Sequence, residues 1–217
     1  MKTSTLLFVV LCVGTVLVQI FLNLGYRAPY EVHLSFLKNQ NFPINSFPAE
    51  NIKAVLAKGV RFTMYQTNKK QGFRQEVRPL GISFTMQGGT LVIASKDGKY
   101  DEKNYFETYF FNIPVLILQN TNINIVAANA EMLQTNIAQN GMLLVQESSF
   151  KNIVATVADS STLILNPDAT VAQLNITLKD KAIFKDSGAN ISRINPFIVS
   201  DNATITLSGH GFRAWQR

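Results

Sequence analysis

The sequence predicts an all-β protein whose chain winds into a parallel β-solenoid of about twenty-residue coils, preceded by one N-terminal transmembrane helix. Three observations support this class: apolar residues that recur at a constant offset, turn-forming residues between them, and an uncharged hydrophobic run at the start of the chain. The 217 residues, 47% of them hydrophobic and 16% charged, suffice for one domain with its own core plus an appendage.

The repeat is clearest in the second half of the chain. One apolar series steps by about twenty residues through Ile113, Leu133, Ile153, Leu174 and Ile194. A second series lies four residues further along each copy, and we predict that it forms one buried column: Ile117, Ile137, Val157, Leu178 and Ile198.

Another apolar group follows in register within each copy. It comprises Ile123 with Ile125, Leu143 with Val145, Leu163 with Leu165, then less regularly Ile183, and Ile205 with Leu207. Asn, Asp, Gly and Ser lie between the groups, which is typical of short strands joined by tight turns. An antiparallel meander would not require apolar positions at a constant offset. The period therefore favours stacked coils, each of which pairs with the coils above and below it.

The chain before the repeat has the same character. Residues 60–64, 82–86 and 91–93 are rich in β-branched, aromatic and aliphatic side chains, which predicts strands. Gly88-Gly89, between the last two, predicts a hairpin turn. We therefore expect this region to begin the same structure, and we assign the solenoid domain to residues 49–217.

The start of the chain predicts a membrane anchor over residues 1–24. Residues 6–24 carry no charge, and nineteen helical residues span about 28 Å, close to the thickness of a bilayer core. Lys2 favours a cytoplasmic N-terminus and an exported domain at the cell membrane, facing the periplasm or the surface. A cleaved signal peptide is the alternative, although no A-x-A pattern follows the run, and Leu11 before Cys12 is a poor lipoprotein signal. Residues 25–48, which contain three prolines, predict a tether.

The net charge of +6 is unevenly distributed. Its excess lies mainly between Lys53 and Arg78, and the basic residues between them are Lys58, Arg61, Lys69, Lys70 and Arg74. Such a run either contacts anionic lipid head groups or acidic glycans, or solvates a loop-rich edge. The expected partners are the lipid bilayer, through residues 6–24, and an anionic glycan or an envelope protein. No nucleic-acid-binding motif accompanies the charge, so no nucleic acid partner is expected.

Two stretches resemble a known family. The segments GGTLVIASKDGK and FNIPVLILQNTNINI, followed by coils of about twenty residues, resemble the GIN-domain family over about residues 50–211. Thr90–Ile93 and Ile113–Leu116 match that family's most specific elements. Its members are bacterial envelope proteins described as autotransporter adhesin heads. The resemblance implies a right-handed parallel β-solenoid in an exported setting and no catalytic residues. The chain departs from the family in its few Gly-Ser and Gly-Asn turns and in its anchor.

Residues with catalytic or metal-binding chemistry are sparse. The two histidines, His33 and His210, stand alone, and no Cys/His cluster has metal spacing. Asp159, Asp180 and Asp201 recur at one coil, either as a cation-binding ladder or as turn residues, and we favour turns. The sequons at Asn175, Asn190 and Asn202 are interpreted as strand and turn residues. We therefore predict no catalytic, cofactor-binding or metal-binding residues and no cofactor.

The leading functional hypothesis is a non-enzymatic, adhesin-like binding module of the cell envelope. The first alternative is a scaffold that self-assembles end to end, as bactofilin-like solenoids do, and an exposed final coil would favour it. The second is a carbohydrate-active enzyme, which would need acids and bases that converge on a groove. We also predict that Phe212 and Trp215 cover the last coil while Arg213 and Arg217 face water.

Overall fold

The computed structural model describes residues 44–47, 51–75, 81–97, 99–100 and 105–215. The chain divides into two compact units, Met1–Phe42 and Pro43–Arg217, and every described residue lies in the second. The predicted anchor and most of the predicted tether lie outside the described residues. Phe47, in the stretch predicted as a tether, is buried in the core.

Strands are the dominant element of the described chain. Its strands are β1 (Ala54–Lys58), β2 (Arg61–Gln66), β3 (Gly72–Gln75), β4 (Ile82–Gln87), β5 (Thr90–Ser95), β6 (Tyr105–Phe110), β7 (Val115–Gln119), β8 (Asn122–Val126), β9 (Asn129–Ala138), β10 (Met142–Gln146), β11 (Ser149–Val157), β12 (Thr162–Leu165), β13 (Thr170–Leu178), β14 (Ile183–Asp186), β15 (Asn190–Val199) and β16 (Thr204–Thr206). One helix, α1 (Gly209–Trp215), follows them. No helix in this described part has the length and hydropathy of a membrane span.

The strands form two eight-stranded sheets. The first has the order β15-β13-β11-β9-β7-β1-β5-β4, and the second has the order β16-β14-β12-β10-β8-β2-β6-β3. From β7 onward successive strands alternate between the sheets, and each pairs in parallel with the strand two further along the chain. Side chains alternate along each strand, so one side of each sheet contributes to a shared aliphatic core. The all-β class and the parallel pairing predicted from the repeat are confirmed.

Most of the predicted register is correct. Leu133, Ile153, Leu174 and Ile194 pair in succession, and Ile137, Val157 and Leu178 form a fully buried column. Ile123, Leu143 and Leu163 form a second column, with Ile125, Val145 and Leu165 beside it. β-Branched and aliphatic side chains at these positions pack well on a pleated surface.

The predicted register fails by one residue at three places. Leu118, and not Ile117, pairs with Ile137 and is buried. Phe184 takes the column position predicted for Ile183, which is 37% exposed. In β15 the register shifts beside Pro196, so that Val199 pairs with Leu178 in place of Ile198. A proline cannot donate to the ladder, and such positions commonly coincide with bulges.

The strand order holds an insertion that the repeat does not reveal. β1 lies between β5 and β7 in the first sheet, and β2 lies between β6 and β8 in the second. The first two strands of the chain are therefore internal to the stack. The Gly88-Gly89 hairpin is confirmed: both glycines have positive φ, 55° and 84°, and they join the antiparallel pair β4 and β5.

The two antiparallel strands β3 and β4 close one end of the sheets. Between them aromatic rings pack closely: Phe73 and Phe84 stack with centroids 4.1 Å apart, and Phe47 stacks on Phe110 at 5.1 Å. Asn45 pairs with Phe73 across an isolated bridge. These rings bury the part of the core that the parallel strands leave open at this end.

Helix α1 covers the other end. Ala214 is 2% exposed, and Leu207 and Trp215 are partly buried against the core. Phe212 is 55% exposed, so its predicted role in covering the core is wrong, whereas the packing of Trp215 and the exposure of Arg213 agree with the prediction. Residues 212 and 215 are nearly one helical turn apart. The face of α1 that packs on the sheets nevertheless contains Ala214 and Trp215 and leaves Phe212 outside.

Candidate binding site

The outward face of the second sheet carries a pair of stacked tyrosines. Alternation along β2 directs Phe62 and Met64 into the core and Tyr65 outward, and alternation along β6 directs Tyr109 outward. Tyr65 lies opposite Tyr109 in the parallel register, and their ring centroids are 5.4 Å apart with the planes inclined by 19°. Two residues 44 positions apart in sequence thus form one aromatic surface.

Arg74 and Glu107 hold Tyr109 in place. Arg74 of β3 lies opposite Glu107 of β6, with Nη1 3.4 Å from Oε2. The guanidinium carbon is 5.3 Å from the centroid of the Tyr109 ring, and the Tyr109 hydroxyl donates to Oε2 of Glu107 at 2.5 Å. Strands β3 and β2 flank β6 on opposite sides, so Arg74 and Tyr65 contact Tyr109 from opposite sides. Glu107 is thereby committed to two partners within the protein.

Both tyrosines keep their protons over the physiological range. Burial, followed by the nearby negative charge of Glu107, raises the pKa of Tyr65 to about 12. Burial and the hydrogen bond to Glu107 also raise the pKa of Tyr109 above its ordinary value. The Tyr65 hydroxyl can therefore act as a hydrogen-bond donor at neutral pH, whereas the Tyr109 hydroxyl already donates to Glu107.

A hollow of about 660 Å³ lies beside these rings, and we call it the tyrosine hollow. Its lining comprises Tyr65, Gln66, Thr67, Asn68, Lys69, Tyr109, Phe111, Ala127 and Asn129. Aromatic faces, amides and one cation thus meet in a space within the usual range for small-molecule sites, about 300–1,000 Å³. No Asp or Glu is among these described lining residues.

The walls of the tyrosine hollow are tied together by glutamine side chains. Gln66 donates through Nε2 to the carbonyl of Phe111 at 3.3 Å and accepts at Oε1 from the N–H of Asn129 at 2.8 Å. The N–H of Phe111 donates to Oε1 of Gln71 at 3.4 Å. Phe111 is 44% exposed although its backbone is held at both polar groups. An aromatic ring is thus presented to solvent on a fixed backbone.

The basic run contributes to this face only in part. Lys58, Arg61, Lys69 and Lys70 are exposed, whereas Arg74 is half-buried against Glu107. Arg78 lies outside the described residues. The run was singled out from the sequence for its charge, but the tyrosines beside it were not. Their only signal in the sequence is that Tyr105, Glu107 and Tyr109 occupy alternate positions and so face the same side of a strand. This pattern does not indicate which strand lies beside them.

The predicted aspartate ladder lies at successive exposed turns. Asp159 and Asp180 have φ of 53° and 55°, the left-handed region that Asp tolerates in turns, and Asp201 follows at the equivalent position. This backbone conformation supports the turn interpretation. In the described part of the chain, no group of three or more His, Cys, Asp or Glu side chains could hold a metal ion.

The remaining residues singled out from sequence are dispersed. His210 lies in α1, while His33 and Cys12 lie outside the described residues. Asn175 and Asn190 are in strands and Asn202 is in a turn, as predicted. Asn175 also belongs to an amide ladder: its Nδ2 donates to Asn152 at 2.7 Å, and its Oδ1 accepts from Asn195 at 3.1 Å. This ladder joins neighbouring strands of the first sheet.

Comparison with known proteins gives structural likeness only. No protein-family model and no curated protein matches the chain. A crystal structure described as "a putative adhesin from Parabacteroides merdae" covers 77% of this chain and 82% of its own, with 14% identity and a TM-score of 0.47. A "Putative lipid binding protein from Parabacteroides distasonis" covers 77% of this chain and 94% of its own, with 13% identity and a TM-score of 0.38.

Proposed function

We propose that this chain is a membrane-anchored, exported β-solenoid that acts as a non-enzymatic, adhesin-like binding module of a bacterial cell envelope. Its ligand is a glycan, and the tyrosine hollow is where the glycan binds. Residues 6–24 attach the protein to the membrane in this proposal, on the evidence of their length and lack of charge.

The tyrosine hollow is the observation that carries the proposal. Sugars present apolar C–H faces, which pack on aromatic rings, and hydroxyl groups, which need amide partners. Tyr65, Tyr109 and Phe111 supply the rings. Gln66, Asn68 and Asn129 supply amides in the same space.

The pattern of the chain supports the proposed fold and family. Parallel pairing between strands about twenty residues apart supports a solenoid, and the motif match supports its right-handed, GIN-domain form. Thr90–Ile93 begins strand β5, and Ile113–Leu116 leads into β7. The two motif segments thus lie on adjoining parts of the first sheet, on either side of β1.

The composition of the hollow supports binding without catalysis. Glycoside cleavage commonly uses two carboxyl groups that flank the scissile bond. The described lining of the tyrosine hollow has neither Asp nor Glu, and the nearby Glu107 is engaged by Arg74 and Tyr109. A ligand in this hollow would therefore be held unchanged.

Glycan binding can be tested on the full-length protein in micelles of a polyoxyethylene detergent, whose head group carries no sugar. We expect measurable affinity for an immobilised panel of neutral and acidic oligosaccharides. Tyr65→Ala should weaken binding by about tenfold or more because it removes half of the stacked pair. Asn68→Ala, at an exposed loop position, should weaken binding with no loss of stability.

Phe212→Ala is the matched control, because it removes an exposed aromatic ring far from the hollow in sequence and in strand order. It should leave binding unchanged. Urea unfolding of each variant separates loss of binding from loss of folding. Absence of binding to every sugar in the panel, or equal binding by Tyr65→Ala and the parent protein, would contradict the proposal.

A further inference from the structure

A second hollow lies on the same outward face of the second sheet, and we call it the Arg61 hollow. It has a volume of about 420 Å³, again within the range of small-molecule sites. Its lining comprises Arg61, Phe62, Thr63, Tyr105, Asn122, Ile123, Asn124, Met142 and Leu144. None of these described residues is acidic.

Arg61 is a cation without an acidic partner among the described residues. It is exposed, and no described carboxylate forms an ion pair with it. Tyr105 lies opposite Arg61 in the register of β2 and β6, and its hydroxyl donates to Thr63 Oγ1 at 2.9 Å. An arginine beside a fixed aromatic ring can hold a carboxylate through two parallel hydrogen bonds while the ring supports the rest of the ligand.

The amides of the Arg61 hollow point to a ligand that bears hydroxyl groups. Asn122 donates through Nδ2 to the Tyr100 hydroxyl at 2.6 Å, which fixes the orientation of that amide. Oδ1 of Asn124 is buried and has no hydrogen-bond partner among the described residues, which is costly for a polar atom. A small turn of this side chain would let a ligand hydroxyl satisfy it without breaking a bond within the protein. Met142 and Leu144 add an apolar wall.

The two hollows share strand β2. Arg61, Thr63 and Tyr65 are its outward residues, with Thr63 between the other two. At about 3.3 Å per residue, Arg61 and Tyr65 are about 13 Å apart along the strand. A single sugar ring cannot contact both side chains, whereas an oligosaccharide can.

We propose that the Arg61 hollow binds the carboxylate-bearing sugar of an acidic glycan whose neighbouring sugars occupy the tyrosine hollow. This rests on the proposed function and makes it more specific. Arg61 pairs with the sugar carboxylate, Tyr105 and Met142 contact the ring, and Asn124 accepts from a hydroxyl. The ligand class is therefore an acidic oligosaccharide of more than one sugar.

The test compares two probes of equal length on the full-length protein in the same sugar-free detergent. A hyaluronan tetrasaccharide contains glucuronate, and a chitin tetrasaccharide is neutral. By calorimetric titration at low salt, we expect about tenfold tighter binding of the hyaluronan probe, since a charged hydrogen-bonded pair contributes about that much. Arg61→Gln should remove this preference and bring the affinity for the hyaluronan probe down to that for the chitin probe. Arg61→Lys, which keeps the charge but loses the two-pronged geometry, should keep only part of it.

Lys185→Gln is the control, because it removes one exposed positive charge from another strand of the same sheet. It should leave the preference intact. A preference that survives Arg61→Gln, or that Lys185→Gln reduces equally, overturns the inference. Equal binding of both probes overturns the inference but not the proposed function. Binding of neither probe overturns the inference, whereas the proposed function fails only when no sugar of the immobilised panel binds either. The last measurement uses vesicles of phosphatidylglycerol and phosphatidylcholine. If the protein binds these vesicles, loses that binding in Arg61→Gln and shows no preference between the two sugars, then Arg61 binds lipid and the inference is wrong.

Discussion

At the scale of single residues, a buried carboxylate organises the end of the sheets. Asp186 occupies the position that Val145 and Leu165 hold in the preceding strands, and it is 3% exposed. Its Oδ1 accepts from the N–H groups of Gly188 and Ala189, at 2.9 and 2.8 Å. A charge in an apolar column is tolerated only when such bonds replace its hydration.

The second oxygen of Asp186 connects this column to helix α1. Oδ2 accepts from the N–H of Ser208 at 3.0 Å and from the Ser208 hydroxyl. The oxygen of that hydroxyl accepts in turn from the N–H of Gly211 at 3.3 Å, so Ser208 is the N-cap of α1. One carboxylate thus holds the start of the helix against the last strands.

Gly211 is required where it stands, which gives a test at this scale. A Cβ there would overlap Oδ2 of Asp186, and that oxygen cannot move without loss of its hydrogen bonds. We expect Gly211→Ala to destabilise the protein by about 1–3 kcal/mol, the usual cost of overpacking. In a helix without such a contact, alanine is more favourable than glycine by about 1 kcal/mol. A loss of stability in Gly211→Ala, in place of a gain, would therefore indicate the contact with Asp186. Urea unfolding of the full-length protein measures it.

Gly209→Ala is the matched control in the same helix. A Cβ at Gly209 meets nothing within 4 Å, so this substitution should be neutral or slightly stabilising. Equal effects of the two substitutions would show that Asp186 does not hold the helix as described.

At the scale of elements, strand β7 shows how the register is decided. Its sequence VLILQ contains four consecutive apolar residues, so alternation alone does not indicate which side chains face the core. Pairing settles it: Leu116 and Leu118 are fully buried, and Ile117 is half-buried on the outer side. Ile117 has Leu56 and Asn136 as its lateral neighbours.

This register predicts unequal costs for two adjacent truncations. Leu118→Ala should lower the free energy of unfolding by about 2–5 kcal/mol, because it leaves a cavity in the column with Ile137. Ile117→Ala should cost less than half as much, since its side chain already contacts water. Denaturant titration of both variants tests the difference, and a larger loss for Ile117→Ala would reverse the assigned register.

At the scale of the whole molecule, both ends of the sheets are covered by non-repeating elements. Antiparallel strands β3 and β4 lie at one end, and α1 packs against β15 at the other. Parallel stacks end in unpaired edges that can template further pairing unless something covers them. A covered final repeat does not favour the end-to-end scaffold.

Removal of the cover should therefore cause association. We expect deletion of residues 209–217 to shift the full-length protein from discrete particles to larger assemblies, measured by size-exclusion chromatography with light scattering. Ala214→Asp changes only one residue and places a charge at a buried contact. It should also increase the mass of the assemblies.

The control for the cover is Phe212→Ala, since that ring lies on the exposed side of α1. It should leave the mass unchanged. Circular dichroism checks that the truncated protein keeps its strands. A truncated protein with intact strands and the parent mass would show that α1 is not needed to prevent association.

Strand content, the repeat and most of the core could be predicted from the residue pattern alone. Alternation and a constant period are local properties, so Ile137, Val157 and Leu178 could be assigned to one column directly. Turn residues were recognisable for the same reason, as at Gly88-Gly89, where only residues that tolerate positive φ fit.

Strand order, the covered ends and the candidate site could not be predicted, because they depend on pairing between segments that are distant in sequence. Nothing in β1 or β2 specifies insertion beside β7 and β8, because a strand that is apolar on its inner side fits several neighbours equally well. The insertion places β2 between β6 and β8, and so brings Tyr65 onto Tyr109 and Arg61 beside Tyr105. Asp186 was unrecognisable as a core residue for a related reason: Ser208, the partner of its second oxygen, lies 22 residues further along the chain and meets it only once the chain has folded.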